Sequence, residues 1–435
     1  MRILQVLHNY PPEFRGGVER AVEQSVAGLA ALGHHVEVLC GSERVDSEAQ
    51  AFVENHEGVR VVRLVREGLF RTPADPFDPG LVPLYEQALS ELRPDVVHIH
   101  HWWNLGDDIA RRAVASGIPV VLTLHDSFST CSLFFRMPDG QTPCELPQGG
   151  GSCGPCLFAK YGVDQDELAF LAEQRAISFR AEVAAAAVVL APSESHANAL
   201  VRHSGIVMPE VVPLGTQPLE PLPREGRAFP DGPLRLLHFG NLSRLKGVEV
   251  LAHAVELADP TGEAIELVLA GEQVEADLFT GRARMVPRYS RDDLRALAAA
   301  ADVAVFPSLA RETYGLVVDE ALHLQLPVFV SNRGALGERI GGRGSAVSVD
   351  TPEALAATLR SILADPGILQ RYAAGAAPVL ETPSSHAARL VGIYQRAMKA
   401  PLPIVDIQSG LLRRIDRHRR RVHEITELLQ RLRRG

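Results

Sequence analysis

Short apolar runs alternate with amphipathic stretches along most of this 435-residue chain. After Gly17, apolar residues recur every three or four positions at Val18, Val22, Val26 and Leu29, which predicts a helix with one apolar face. Apolar runs rich in β-branched residues flank this helix and its successors. They predict six strands in the first half of the chain, at Arg2–Leu7, His35–Leu39, Val59–Leu64, Asp95–His100, Pro119–Leu124 and Ala187–Leu190.

The same alternation restarts after a proline-rich stretch, residues 216–233, which we interpret as an interdomain linker. In the second part, Ser290 followed by Asp293 is typical of a helix start. The apolar runs there predict six further strands, at Leu234–Phe239, Ile265–Ala270, Ala283–Val286, Val303–Phe306, Pro327–Val330 and Ala346–Val349. The predicted fold class is therefore α/β, with two Rossmann-like parallel-sheet domains, residues 1–215 and 234–385, that face each other across a cleft.

Three segments depart from this alternation. Residues 127–164 form an insertion rich in glycine, proline and cysteine, and this composition predicts that the insertion has no core of its own. Residues 386–402 are predicted to form a helix that crosses back to the first domain. Residues 403–435 are predicted to form a basic helix with a heptad pattern, whose repeating positions are Leu411, Ile415, His418, Val422, Ile425, Leu429 and Leu432.

The terminal helix has three interpretations. In the first it docks on its own domain, and in the second it forms a coiled coil in a homodimer. In the third, residues 411–435 lie as a basic amphipathic helix on an anionic membrane.

The net charge of −9 for the whole chain argues against nucleic acid as a partner. The segment after Met1 lacks the apolar length of a secretory signal, and no run approaches eighteen apolar residues. We therefore expect a cytoplasmic protein, with peripheral contact to the inner face of the membrane as an alternative.

The segment 305–320 reads VFPSLARETYGLVVDE and combines a strand end, a loop and a helix start. The loop carries Glu312, and the helix begins near Gly315 and carries Glu320. A helix N-terminus that contains a glycine can bring backbone N–H groups against a phosphate. Glu312 can accept hydrogen bonds from sugar hydroxyls, and Glu320 can reach a ribose. A second segment, residues 238–247, reads HFGNLSRLKG and also runs from a strand end to a helix start.

These segments resemble the motifs of retaining glycosyltransferases of family 4, which have the GT-B fold. Glu312 and Glu320 match the E-x7-E motif, whose first glutamate contacts the donor sugar and whose second contacts the ribose. The second segment is similar to G-R-L-x3-K-G, whose cations bind the diphosphate. Lys246 falls on the family's lysine, whereas Asn241 stands at its arginine, and Arg244 is the candidate replacement. The resemblance thus implies a donor-binding set of Gly16, Gly17, Arg244, Lys246, Glu312, Thr313, Tyr314, Gly315, Leu316 and Glu320.

Two features of the first domain complete the implied site. The pair Gly16 and Gly17 follows the first strand and resembles the family's GG loop, in which backbone approaches the phosphates or the acceptor. His125 stands where the family often has a histidine near the reacting carbon, so His125, Glu312 and Lys246 are the implied catalytic residues. The strand before it ends in histidine and aromatic residues that suit contact with an acceptor, namely His100, His101, Trp102 and Asn104.

Four cysteines, Cys131, Cys144, Cys153 and Cys156, lie inside the insertion, and the last two have the C-x2-C spacing typical of zinc sites. A structural zinc ion, disulfides and free thiols are the alternatives. A reducing cytosol disfavours disulfides, and a metal would supply folding energy to a segment without a core.

The resemblance implies transfer of a hexose from a nucleoside-diphosphate sugar to a hydroxyl acceptor, with retention at the anomeric carbon. UDP is the commonest carrier in the family. The acceptor classes are glycans, lipids and small molecules, in glycan, glycolipid or natural-product biosynthesis, and no cofactor is required for catalysis. Two alternatives stay open, namely a nucleotide-sugar epimerase or hydrolase with this fold and a non-catalytic scaffold that binds sugar nucleotides.

Overall fold

A computed structural model describes residues 1–68, 72–162, 164–223, 232–407 and 420. Within them the chain forms two α/β domains, each built on a sheet that is parallel throughout its centre, which confirms the predicted fold class. The described strands are β1 (Arg2–Leu7), β2 (His35–Cys40), β3 (Val45–Asp46), β4 (Gln50–His56), β5 (Val59–Glu67), β6 (Val96–Ile99), β7 (Val120–Thr123), β8 (Val188–Ala191) and β9 (Glu210–Val211) in the first domain, and β10 (Leu234–Phe239), β11 (Ile265–Ala270), β12 (Arg284–Val286), β13 (Val303–Phe306), β14 (Val328–Ser331) and β15 (Gly344–Val347) in the second.

The first sheet has the order β3-β5-β2-β1-β6-β7-β8-β9, and β4 pairs with β5 in the antiparallel sense. The second sheet has the order β12-β11-β10-β13-β14-β15 and is parallel throughout. In β1, Leu4 and Val6 belong to one apolar cluster, while Ile3 and Leu7 belong to a cluster on the other face. Because helices cover both faces, the central strands appear in the sequence as continuous apolar runs.

Helices connect the strands in both domains. They are α1 (Gly17–Ala31), α2 (Val82–Leu92), α3 (Ile109–Ala115), α4 (Gly150–Tyr161), α5 (Gln165–Ala185), α6 (Glu194–Ser204), α7 (Val248–Ala258), α8 (Arg291–Ala300), α9 (Leu316–His323), α10 (Pro352–Ala364), α11 (Gly367–Ala374) and α12 (Pro383–Lys399). Helix α12 packs against α1, and its Tyr394 is fully buried in the first domain. A helix that follows the second domain in the sequence thus contributes a side chain to the interior of the first domain.

Two sequence expectations need correction. The sequence does not predict β3, β4 and β9, because most of their side chains are exposed and leave no apolar pattern. The insertion was expected to lack a core, but it contains α4, which packs on α5 around Leu157, Leu168 and Leu171. A Cβ at Gly154 would lie 2.8 Å from the Cβ of Ala169. The glycines of the insertion therefore provide a surface for close helix packing.

The heptad pattern of residues 411–435 falls almost entirely outside the described residues, and so do residues 224–231 of the predicted linker. Residues 401–407 have neither helix nor strand structure, and the backbone oxygen of Asp406 accepts a hydrogen bond of 3.3 Å from Arg111. The described part of the chain contains no helix with the length and apolar character needed to cross a membrane.

Candidate active site

A cavity of about 640 Å³ lies between the two domains, at the carboxyl ends of the central strands of both sheets. Parallel α/β sheets bind their ligands at this edge. Most of the predicted site residues line the cavity, namely Gly16, Gly17, His125, Lys246, Glu312, Thr313, Tyr314, Gly315 and Leu316. The other predicted residues lie outside its lining, namely Arg244, Glu320, His100, His101, Trp102 and Asn104.

Lys246 and Glu312 form an ion pair on the cavity wall, with Nζ and Oε1 2.6 Å apart. Ser308, which follows β13, donates a second hydrogen bond to the same carboxylate oxygen. Burial acts to raise the pKa of Glu312, but the charge of Lys246 and the two hydrogen bonds outweigh it and lower the pKa. Within the described residues Oε2 of Glu312 has no hydrogen-bond partner, so it is available to a hydroxyl group of a ligand.

The start of α9 is shaped by Gly315, whose φ of 87° is left-handed. A Cβ at this position would also clash with the side chain of Leu336, so glycine is required. The neighbouring Tyr314 is buried, and its hydroxyl lies 2.9 Å from the carbonyl oxygen of Leu214 and from Oδ2 of Asp319. The loop is thereby fixed with Gly315, Leu316 and Val317 of the α9 N-terminus on the cavity wall, and a helix N-terminus is a suitable place for an anion.

Glu320 pairs with Arg20 of α1 across the cleft, with Oε1 and Nη2 2.7 Å apart. Arg20 lines the cavity, and Glu320 lies behind it. The involvement of Arg20 could not be predicted from the motif, because its partner is 300 residues away in the chain. A ribose would have to share or displace this ion pair in order to reach Glu320.

The structure does not place Arg244 in the cavity. Its exposed guanidinium lies 3.2 Å from Glu249, in the first turn of α7, and 3.0 Å from Asp277. These two carboxylates hold Arg244 away from the position that an arginine at Asn241 would serve. The sequence spacing alone does not give this direction, because residues 244–246 form a turn in which Arg244 and Lys246 diverge.

Other cations line the cavity instead. Arg311 pairs with Glu145 of the insertion. Arg288, which follows β12, has no ion-pair partner within the described residues. Neither arginine belongs to a recognisable motif, so the sequence offered no signal for them beyond their place after strands of the second sheet.

His125 follows β7 and is buried at the cavity wall. Its Nε2 lies 2.8 Å from Nδ1 of His100, while its Nδ1 has no hydrogen-bond partner within the described residues. Burial is the largest cause that lowers the pKa of His125 to about 3, the charge of Asp126 acts against it, and His101 adds a smaller lowering effect. The ring is therefore neutral at physiological pH and acts as a hydrogen-bonding group without charge.

The other residues predicted to contact the acceptor lie in the core below the cavity. His101 stacks on Phe128 with ring centroids 4.6 Å apart. Trp102 donates a hydrogen bond of 3.2 Å to the buried carboxylate of Glu182. Asn104 is also buried. These side chains do not reach the cavity because the turn 127–130 places Phe128 against His101, just after the end of β6. They pack beneath the residues that line the cavity.

The insertion provides the exposed aromatic surface. Phe134 and Phe135 line the cavity, and Phe135 is 50% exposed. Phe134 and Arg136 have left-handed φ values of 70° and 54°, which are unusual for residues other than glycine. Arg136 donates hydrogen bonds to the carbonyl oxygens of Thr130 and Cys144, so the insertion holds this conformation in place.

The four cysteines of the insertion line one small cavity of about 40 Å³. Burial and the neighbouring thiols, Cys131 first among them, raise the pKa of Cys156. Tetrahedral zinc with bonds of about 2.3 Å would place the sulfur atoms about 3.8 Å apart. Among the described residues, however, the one group of three potential ligand atoms mutually within 4.8 Å is Glu23, His56 and Glu57. The four thiols thus line the same cavity, but their sulfur atoms are not all close enough to one another for a tetrahedral zinc site.

Comparisons with known proteins identify relatives of both domains. Residues 15–218 match the family model "Glycosyltransferase Family 4", and residues 233–365 match "Glycosyl transferases group 1". A glycogen synthase of Mycobacterium tuberculosis is 27% identical, covering 93% of this chain and 99% of that protein. A D-inositol 3-phosphate glycosyltransferase of Pseudarthrobacter chlorophenolicus is 25% identical, with 75% and 76% covered. The structure of HepE from Anabaena in complex with UDP and glucose superposes with a TM-score of 0.56 at 16% identity, covering 91% of this chain and 98% of that one.

Proposed function

This chain belongs to glycosyltransferase family 4, and on that basis we propose that it moves a hexose from a UDP-linked donor to a hydroxyl acceptor with retention at the anomeric carbon. It has the GT-B fold and is an enzyme that transfers sugars, which sets the non-catalytic scaffold aside. The observation that carries the proposal is the ion pair of Lys246 and Glu312, 2.6 Å apart on the wall of the cleft between the domains.

Lys246 is proposed to bind the diphosphate. Its ammonium has three N–H donors and gives one of them to Glu312, so two are left for phosphate oxygens. The N-terminus of α9 at Gly315 adds backbone donors. Arg288 and Arg20 line the same cavity, and they are better placed than Arg244 to replace the arginine missing at Asn241. Fixed cations of this kind stabilise the charge that develops on the leaving group.

Glu312 is proposed to hold the sugar through Oε2, which is free of protein partners within the described residues. Retention by double displacement would need a second carboxylate close to His125. Asp126 lines the cavity there, but its oxygens accept a hydrogen bond of 3.0 Å from the backbone of Phe128 and face His101 at 3.4 Å. These contacts favour departure and attack on one face of the sugar, with the leaving diphosphate taking the proton of the acceptor.

The acceptor is proposed to bind against Phe134 and Phe135. Aromatic side chains suit the apolar face of a sugar or polyol ring. The relatives named above act in glycogen synthesis and on D-inositol 3-phosphate, so a polyhydroxylated acceptor is consistent with both. The residues that the sequence predicts to contact the acceptor are buried and then act as support for this wall, namely His100, His101, Trp102 and Asn104.

Nucleotide binding provides the direct test of the donor. In thermal unfolding experiments, UDP at 100 times its Kd is expected to stabilise the protein by about 2.7 kcal/mol, because ligand binding to the folded state is linked to unfolding. Uridine, which lacks the diphosphate, is the matched control and should stabilise much less. A shift from GDP or ADP without one from UDP would overturn the assignment of the base, and the absence of any shift would reject the nucleotide site.

A zinc ion in the insertion is a separate proposal. The four thiols already surround one cavity, and zinc would draw them together as thiolates. Protein purified without chelator should contain about one zinc per chain by inductively coupled plasma mass spectrometry, and the double substitution Cys153→Ser and Cys156→Ser should abolish it. Cys40, which is buried at the end of β2 and outside the insertion, provides the control, since Cys40→Ala should retain the metal. Wild-type protein with well under one zinc per chain would show that the thiols are free.

A further inference from the structure

A continuous chain of hydrogen bonds runs from helix α12 through the first sheet to His125. Gln5 on β1 donates from Nε2 to the hydroxyl of Tyr394 at 3.1 Å, and its Oε1 lies 2.6 Å from Nε2 of His100. Nδ1 of His100 lies 2.8 Å from Nε2 of His125. All four side chains are buried, so water does not compete for these bonds.

The position of each proton in this chain follows from Gln5. An amide oxygen only accepts hydrogen bonds, so Nε2 of His100 must carry the proton that is donated to Gln5. The amide nitrogen of Gln5 only donates, so the hydroxyl of Tyr394 accepts from it and is left to donate to Nδ1 of His98, at 2.8 Å. His98 then donates from Nε2 to the hydroxyl of Thr123, at 2.7 Å. In this branch Tyr394 and His98 thus each accept one hydrogen bond and donate another.

The same reasoning fixes the state of His125. Burial keeps His100 neutral, since it lowers the pKa of this residue well below its ordinary value. A neutral His100 with its proton on Nε2 has a bare Nδ1, which can only accept. Nε2 of His125 must therefore be the donor in the bond of 2.8 Å. Since His125 is neutral as well, its Nδ1 has no proton, and this is the nitrogen without a partner within the described residues.

We propose that Gln5 and His100 are positioning residues that hold His125 in the Nε2–H tautomer, so that its bare Nδ1 accepts a hydrogen bond from a hydroxyl of the bound sugar. That last contact rests on the proposed function, whereas the tautomer does not. In this state the one ring proton of His125 is on Nε2 and is donated to His100, so Nδ1 has no proton to give to the departing diphosphate. Its contribution is to recognise and orient a hydroxyl group, which makes it a determinant of specificity for the sugar.

The tautomer is measured directly by two-dimensional ¹H–¹⁵N NMR of nucleotide-free protein with ¹⁵N-labelled histidine. A bare ring nitrogen resonates far downfield of a protonated one, and the His125 signals are those that disappear in the His125→Asn variant. We expect Nε2 of His125 to be protonated and Nδ1 to be bare. In Gln5→Leu, which removes the acceptor for His100, the His125 signals should move toward a mixture of both tautomers. A protonated Nδ1 in the wild-type protein, or unchanged His125 signals in folded Gln5→Leu, would overturn the inference.

A matched pair of variants tests which nitrogen matters for transfer. The amide oxygen of Asn reaches the position of Nδ1, and that of Gln reaches the position of Nε2. His125→Asn should therefore retain about tenfold more kcat/KM than His125→Gln, about the value of one hydrogen bond. Equal loss in both variants, or better activity in His125→Gln, would contradict the contact through Nδ1. If neither wild type nor variants transfer sugar from any nucleotide donor, the proposed function fails while the NMR result still decides the tautomer.

Discussion

Replacing Glu312 by glutamine is expected to lower kcat/KM for sugar transfer by about 10- to 100-fold, because hydrogen bonds to a charged group contribute about 1.5–3 kcal/mol. The amide keeps the size of the side chain but removes the charge that pairs with Lys246, and only its oxygen can still accept from a sugar hydroxyl. The affinity for UDP itself should change little, since Glu312 is proposed to contact the sugar and not the nucleotide.

The measurement combines UDP release, detection of the glycosylated product and thermal unfolding with and without UDP. Glu263→Gln is the matched control, because this glutamate is exposed and far from the cavity lining. Unchanged kcat/KM in Glu312→Gln would remove Glu312 from the site. UDP release by the wild-type protein without any glycosylated product would favour the alternative of a hydrolase.

The sequence predicts the fold well where strands are buried on both faces. Strands β1, β10, β11 and β13 have the bounds that their apolar runs predict. The exposed strand β4 has no such run and was therefore not recognised. The glycines of the insertion also predict irregular structure, whereas in the structure Gly154 allows the close contact between α4 and α5.

The candidate site residues also differ in how far local sequence predicts them. Glu312 and Lys246 come from segments where a strand end, a turn and a helix start fix the direction of the side chain, and both line the cavity. Arg244 lies in a turn, where two carboxylates set its direction, and no local pattern shows this. The pair of Arg20 and Glu320 depends on how the two domains meet. Contacts of that kind follow from tertiary structure and are not encoded in residue spacing.

Replacing Lys246 by methionine should have the largest effect, a loss of kcat/KM of about 10²- to 10³-fold, since removing one fixed donor to a developing negative charge costs about 2.7–4 kcal/mol. Methionine preserves much of the apolar stem and removes the charge. Unlike Glu312→Gln, this substitution should also weaken UDP binding, which is measured by the loss of thermal stabilisation. Lys246→Arg, which keeps the charge, is the control and should retain UDP binding better than the methionine variant.

The two variants are expected to be coupled. In Lys246→Met, burial acts on Glu312 without the opposing charge, so the pKa of this carboxyl rises and its hydrogen bonding to the sugar changes as well. The double variant of Lys246→Met and Glu312→Gln should therefore lose less than the sum of the single losses in free energy, because both single changes break the same ion pair and residues in direct contact are not additive. Strict additivity, or full UDP binding by Lys246→Met, would mean that the ion pair of 2.6 Å holds the loop in place without binding the diphosphate.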